Sequence, residues 1–326
     1  MIDQFRKFTF VNMFLLVPFS LLLCLGAFVG LPDNLRPVFF EPTILNLIGD
    51  FHEQLVPPQA NVLITLTLTL LQAFLLNRIV NLNNLLGKSS FLPALMYISF
   101  ASMLTPFLVL SPTLICNFLM IWMIDKFLSI YRRTDVITVM FDLGLIVAVG
   151  TLFYFPFIAM FLLLWISLLI FRAFNWREWV ACLIGFITIY FIIFIIYFWL
   201  GKTTAFYHIW LPLTRSFPTS LNIDLYDYLV LLFPTIILIL FVISLRQNFY
   251  KSVVHIRKSF QLLFFMFLLG MISFYLNPTL QEYHFLLCIP PISIYAAYYF
   301  NFATTRWFYE SIFAALIIGI IYFQWF

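Results

Sequence analysis

The chain has 326 residues, of which 64% are hydrophobic and only 9% are charged, and its mean hydropathy is +1.07. A soluble domain carries about a quarter of charged residues, so this composition excludes one. The formal net charge of +4 comes from basic residues at the ends of apolar segments and indicates no nucleic-acid partner.

The apolar stretches are continuous and roughly 20 residues long, which is the length that crosses about 30 Å of hydrocarbon. Continuous stretches exclude an outer-membrane barrel, whose strands alternate between apolar and polar residues. We therefore predict an all-α fold, a polytopic transmembrane helical bundle that forms a single domain over 1–326.

The amino-terminal half contains six predicted spans, at about 8–29, 60–77, 90–110, 112–130, 136–153 and 156–171. The first follows Arg6 and Lys7 and lacks an A-x-A cleavage site, which is typical of a retained signal anchor. Spans three and four form a hairpin at Pro112, and spans five and six form another at Pro156.

Between spans one and two lies a predicted outer loop, 31–58. Within it, apolar residues from Ile44 to Phe51 recur at three- and four-residue spacing, which predicts a short amphipathic helix on the membrane surface. Asp50 and Glu53 lie on a neighbouring face of that helix.

The carboxyl-terminal half contains five more predicted spans, at about 179–200, 229–245, 259–276, 285–300 and 308–325. The total is about 11. The long segment 201–228 and the short segment after span nine form the second and third outer loops.

The basic residues give the predicted orientation. Fourteen of the 17 Lys and Arg residues lie on one side of the predicted membrane, and only Arg36, Lys202 and Arg215 lie on the other. Because positive charge concentrates in cytoplasmic loops, we predict a cytoplasmic amino terminus and an outer carboxyl terminus.

Two spans carry notable polar residues. Asp142 lies about a third of the way across span five, and an acid inside the membrane is by default a functional hypothesis. We expect it to pair with Arg172 or with a polar group of a neighbouring span; a structural hydrogen bond or ion pair is the alternative to a proton or ion site. Thr65, Thr69 and Gln72 share one face of span two, which predicts contacts between helices.

No P-loop, H-E-x-x-H or paired C-x-x-C motif occurs, and the four cysteines lie in apolar segments, so we predict no cofactor and no metal. The candidate site residues therefore come from the predicted outer loops. Beside the two first-loop acids, the ionisable side chains that could bind an anionic substrate are His52, Lys202, His208, Arg215 and His284.

Three runs carry a family resemblance: SPTLICNFLMIWMIDKF, LGLIVAVGTLFYFPFIAMFLLLWISLLIFRAFNWREW and EYHFLLCIPPISIYAAYYF. They resemble an uncharacterised family of multi-span proteins from Bacteroidota over most of the chain. More distantly, they are similar to the C-type glycosyltransferase superfold, whose members use polyprenyl-phosphate sugar donors. In the last run, His284 stands near the place where that superfold often has an arginine.

The resemblance implies a bacterial inner-membrane enzyme that acts on the periplasmic face. A first-loop carboxylate, Asp50 or Glu53, would be the general base, and cations such as His284, Arg215 or Lys202 would face the donor phosphate. Grooves between helices would hold the polyprenyl tail. A non-catalytic subunit of a larger membrane complex is the alternative hypothesis, and a transporter is the third.

Overall fold

The computed structural model of the protein describes residues 1–29, 57–131, 133, 135–210, 253–276 and 282–325. These residues form α-helices and short 3₁₀ segments and contain no β-strand. The helices within them are α1 (Ile2–Phe5), α2 (Phe10–Val29), α3 (Pro58–Leu82), α4 (Leu92–Ala101), α5 (Pro112–Ile130), α6 (Ile137–Phe153), α7 (Met160–Phe171), α8 (Trp176–Trp199), α9 (Thr203–His208), α10 (Val254–Ile272), α11 (Ile289–Phe302) and α12 (Arg306–Trp325).

Five segments of the described chain are long and apolar enough to cross a membrane: Pro58–Leu82, Pro112–Ile130, Trp176–Trp199, Val254–Leu276 and Glu282–Phe302. Shorter apolar helices accompany them. The all-helical, membrane-type fold is thus confirmed, whereas the count of 11 spans and the orientation of the termini stay predictions. Predicted span eight and the amphipathic helix of the first outer loop lie outside the described residues.

Predicted span three differs from the structure. Its helix, α4, has ten residues and ends at Ala101, and a 3₁₀ turn at Thr105–Leu108 follows. The chain is extended at Leu104, with φ −118° and ψ 145°, and this residue separates the 3₁₀ turn from α4. Pro106 lies in the first turn of the 3₁₀ segment, where its missing amide hydrogen costs no helical bond.

Helices α4 and α11 pack against each other in the core of the bundle. Every residue of α4 is buried, and so are the twelve consecutive residues 289–300 of α11. Helix α11 begins at Ile289 with Pro290 and Pro291 in its first turn, where proline is tolerated because those amide groups have no partner in the helix. The Tyr295 hydroxyl donates to the Phe260 carbonyl of α10 at 2.8 Å, which ties a third helix to this pair.

The amino-terminal segment closes one end of the bundle. The Arg6 guanidinium donates to the Phe300 carbonyl, with Nε at 2.9 Å, and its centre lies 4.5 Å from the Tyr309 ring. The Tyr309 hydroxyl donates to the Asp3 carboxylate at 2.7 Å. The first residues, the end of α11 and the start of α12 therefore lie at the same end, as the predicted alternation of spans requires.

In the described part of the chain, the opposite end is built from four 3₁₀ segments that adjoin the apolar helices: Thr105–Leu108, Phe155–Ala159, Ser273–Leu276 and Glu282–Cys288. The first packs against the fourth, and the second packs against the third. We call this group the irregular end. In the predicted topology it is the outer end of the bundle.

Candidate functional site

Half of the predicted site residues lie outside the described ranges: Asp50, His52, Glu53 and Arg215. Lys202 is exposed and precedes α9, and His208 is the last residue of that helix. The other two described residues, His284 and Asp142, are held by other side chains.

His284 is completely buried in the irregular end, although its place in a predicted outer loop suggested a surface position. Its Nδ1 lies 2.7 Å from the Tyr154 hydroxyl, and its Nε2 lies 2.9 Å from the Gly270 carbonyl oxygen and 3.2 Å from the Ser273 hydroxyl. A carbonyl oxygen can only accept, so Nε2 carries a proton, and in the neutral ring Nδ1 accepts the tyrosine hydrogen. Both ring nitrogens are therefore engaged within the protein.

The local backbone explains this placement. The segment Glu282–Cys288 is a 3₁₀ stretch rather than an α-helix, and two of its carbonyl groups accept hydrogen bonds from side chains of α5. Thr113 of α5 donates to the Tyr283 carbonyl at 2.9 Å, and Asn117, one turn further along α5, donates to the Leu286 carbonyl at 3.0 Å. The ring of Phe274 packs edge-on against His284 at 5.5 Å.

A second buried polar group lies beside this segment. The Tyr97 hydroxyl donates to Gln72 Oε1 at 2.7 Å, and Gln72 Nε2 donates to the Leu114 carbonyl at 2.6 Å. Asn117 Nδ2 approaches the Tyr97 hydroxyl at 3.3 Å. The predicted contact between helices is confirmed for Gln72. Sequence reasoning missed Tyr97 and Asn117, because single polar residues in apolar helices give no signal of their partners.

Three chain segments that border the predicted outer loops meet at the irregular end. Asn61, which follows the first loop, accepts the Leu110 amide at 2.9 Å through its side-chain oxygen. Trp210, within the first part of the second loop, packs edge-on against Phe155 with ring centroids 6.5 Å apart. The segment Glu282–Cys288, in which the predicted third loop ends, contains His284 itself. Residues at or near the borders of all three predicted loops thus lie at one end of the bundle.

Asp142 pairs with Lys126, whose Nζ lies 2.6 Å from Asp142 Oδ2. Of the two expected partners, Arg172 or a polar group of a neighbouring span, the second is found, since the Arg172 guanidinium lies 3.8 Å from Glu178 and donates to the Arg133 carbonyl at 3.3 Å. The rotation of α5 and α6 about their axes decides this choice of partner. Asp142 is thus part of an ion pair between neighbouring helices, which is the structural alternative stated above.

Among the described residues, no three His, Cys, Asp or Glu side chains are grouped so that they could hold a metal ion. The four cysteines are free thiols, and all four are buried.

The long apolar helices and the buried polar contacts that join them define the class: this is a helical membrane protein. Comparison with known proteins gives one further assignment. The chain belongs to a family of unknown function, DUF6427, which matches residues 42–326. No curated protein and no solved structure matches the chain.

The family match agrees with the resemblance to an uncharacterised family. The Bacteroidota origin, the bacterial inner membrane and the likeness to glycosyltransferases stay predictions.

Proposed function

We propose that the protein is a polyprenyl-phosphate-dependent, glycosyltransferase-like enzyme that acts on the periplasmic face of a bacterial inner membrane. One observation supports this proposal: residues at or near the borders of all three predicted outer loops lie together at the irregular end. Side chains from loops that leave the same end of a bundle can reach a common substrate. Irregular backbone at membrane depth also occurs only where it is buried in protein or lines a cavity, as at many membrane sites.

The proposed roles divide between the loops and the bundle. Asp50 or Glu53 is the general base that deprotonates the acceptor hydroxyl. The exposed Lys202, together with Arg215 and His208, stabilises negative charge on the donor phosphate. His284 is assigned a positioning role, because Nε2 donates to the Gly270 carbonyl and Nδ1 accepts from the Tyr154 hydroxyl, and these bonds hold the segment that borders the third loop.

The test is sugar transfer from polyprenyl-phosphate donors in membranes that contain Asp50→Asn, Glu53→Gln or the double variant. Replacing the general base is expected to lower the rate by about 10²–10⁴-fold. Asp33→Asn is the matched control, since it removes an acid from the same predicted loop outside the amphipathic helix. Equal transfer by the double variant and the parent, at equal amounts of folded protein, would end the catalytic proposal.

A non-catalytic subunit of a larger membrane complex is the second candidate. It is favoured by the internal use of polar groups, because His284, Tyr97 and Gln72 all bond within the bundle. A subunit is expected to purify with its partners in fixed stoichiometry after mild detergent extraction. Purification as a single polypeptide that transfers sugar would exclude this candidate.

The transporter hypothesis depended on Asp142 as an ion or proton site, and the ion pair with Lys126 supplies that residue with a structural role instead. Loss of a substrate or ion flux in Asp142→Asn, with the amount of folded protein unchanged, would restore it.

A further inference from the structure

Three charged side chains lie on the outward surface of the α5–α6 pair. The side chains of Lys126 and Asp142 form an ion pair, yet they are 23% and 43% exposed. Asp125, next to Lys126, is exposed and forms no hydrogen bond or ion pair with any residue that the structure describes. Trp122, one turn from Lys126 on the same helix, is 51% exposed. We call these four residues the α5–α6 patch.

The patch lies near the ends of two apolar helices, of which α5 is long and apolar enough to cross a membrane. At a rise of 1.5 Å per residue, Lys126 stands about 6 Å from the end of α5 at Ile130. Asp142 stands about 7.5 Å from the start of α6 at Ile137. Acidic and basic residues at such positions normally face the interior of a bundle or a water-filled cavity, because lipid solvates charge poorly. Here they face outward, so contact with lipid alone is unfavourable.

The charges of the patch also indicate what covers it. Two carboxylates and one ammonium leave a net charge of −1, and Asp125 is the member of the patch that pairs with no other described residue. A second copy of this chain is a poor fit, since a two-fold interface would place this negative patch against itself. A transmembrane helix with one basic side chain at the same depth would neutralise the patch, and an apolar surface on that helix would pack against Trp122.

We propose that the α5–α6 patch is an interface for a transmembrane helix of a different protein, and that a Lys or Arg of that helix pairs with Asp125. The interface stands apart from the proposed glycosyl transfer, which uses the opposite end of the bundle. A catalytic protein and a non-catalytic subunit could each use it.

The test is photo-crosslinking in native membranes with a photoreactive amino acid in place of Trp122. The matched control carries the same group at Ile187 of α8, which is 56% exposed and has no charged neighbour within four residues along its helix. The expected result is one adduct from position 122 whose crosslinked peptide is a membrane span with a Lys or Arg near one end. Asp125→Asn in the same background is expected to lower its yield at least about tenfold, while Asp125→Glu retains it.

Three outcomes would overturn the proposal: adducts only with lipid, adducts only with a second copy of the chain, or a yield that does not respond to Asp125→Asn. Asp125 is exposed, so its replacement should leave the fold intact, and the amount of monodisperse protein in detergent checks this. In the Asp50→Asn, Glu53→Gln background the adduct should form as in the parent. Failure of the proposed catalysis is therefore distinguishable from failure of the interface.

Discussion

The crossing of α6 and α8 gives the sharpest stability prediction, because glycines there let two helix backbones touch. A β-carbon added to Gly144 would overlap the Cys182 carbonyl oxygen and lie 3.0 Å from the Phe186 nitrogen. A β-carbon added to Gly185 would overlap the Phe141 carbonyl oxygen and lie 3.1 Å from its carbon. Ordinary contact begins near 3.4 Å, so either alanine forces the two helices apart.

Several effects set the size of the loss. Overpacking a close contact costs about 1–3 kcal/mol, and membrane helices rely on such contacts because no hydrophobic driving force brings them together. Alanine recovers up to about 1 kcal/mol through its higher helix propensity. We expect each of Gly144→Ala and Gly185→Ala to lower the free energy of unfolding by about 1–2 kcal/mol. The double variant should lose less than the sum, because one separation of the helices relieves both overlaps.

The assay is equilibrium unfolding in mixed detergent micelles, followed by tryptophan fluorescence or helical circular dichroism. Ile184→Ala is the control, since that side chain is adjacent to Gly185 but 52% exposed, and removing it creates no overlap. A Gly144→Ala variant as stable as the parent would refute the close crossing. Strict additivity in the double variant would show that the two glycines do not share one contact.

Two further predictions concern hydrogen bonds. Tyr97→Phe removes the hydroxyl that donates to Gln72 Oε1 and leaves that buried oxygen unpaired. The free energy of unfolding should therefore fall by about 1–3 kcal/mol. No loss in the same unfolding assay would show that the hydrogen bond is not made. The pKa of Asp3 is lowered from its ordinary value of 3.8, chiefly by the hydrogen bond from Tyr309. A lowered folded-state pKa contributes stability that is present above the unfolded-state pKa and is lost as pH falls through the folded-state pKa. Asp3→Asn should thus lower the free energy of unfolding at pH 7 by only about 0.5–1 kcal/mol, because the carboxylate is partly exposed to solvent. Thermal unfolding of the variant and the parent should show this deficit shrinking below pH 3.8. A deficit that stays constant with pH would contradict the assignment.

Much of the candidate site could not be predicted from the sequence. Its outer-loop position suggested a surface role for His284, but the short 3₁₀ segment that contains it turns the ring toward Tyr154 and Gly270. For Asp142 a polar partner in a neighbouring span was among the expectations, but the sequence did not single out Lys126 as that partner. In both cases the residue type was informative, and its surroundings depended on neighbouring helices.

The amino-acid sequence alone was sufficient for the all-helical membrane class and for the places where several helices begin and end. Hydropathy and proline act locally, so the break before Pro156 and the helix start at Pro112 could be predicted from short windows. The rotation of each helix about its own axis could not be predicted in this way, because lipid and the protein core are equally apolar and the usual amphipathic pattern is weak in such helices. Which polar side chains meet, among them Gln72 with Tyr97 and Lys126 with Asp142, follows only from the packing of whole helices in three dimensions.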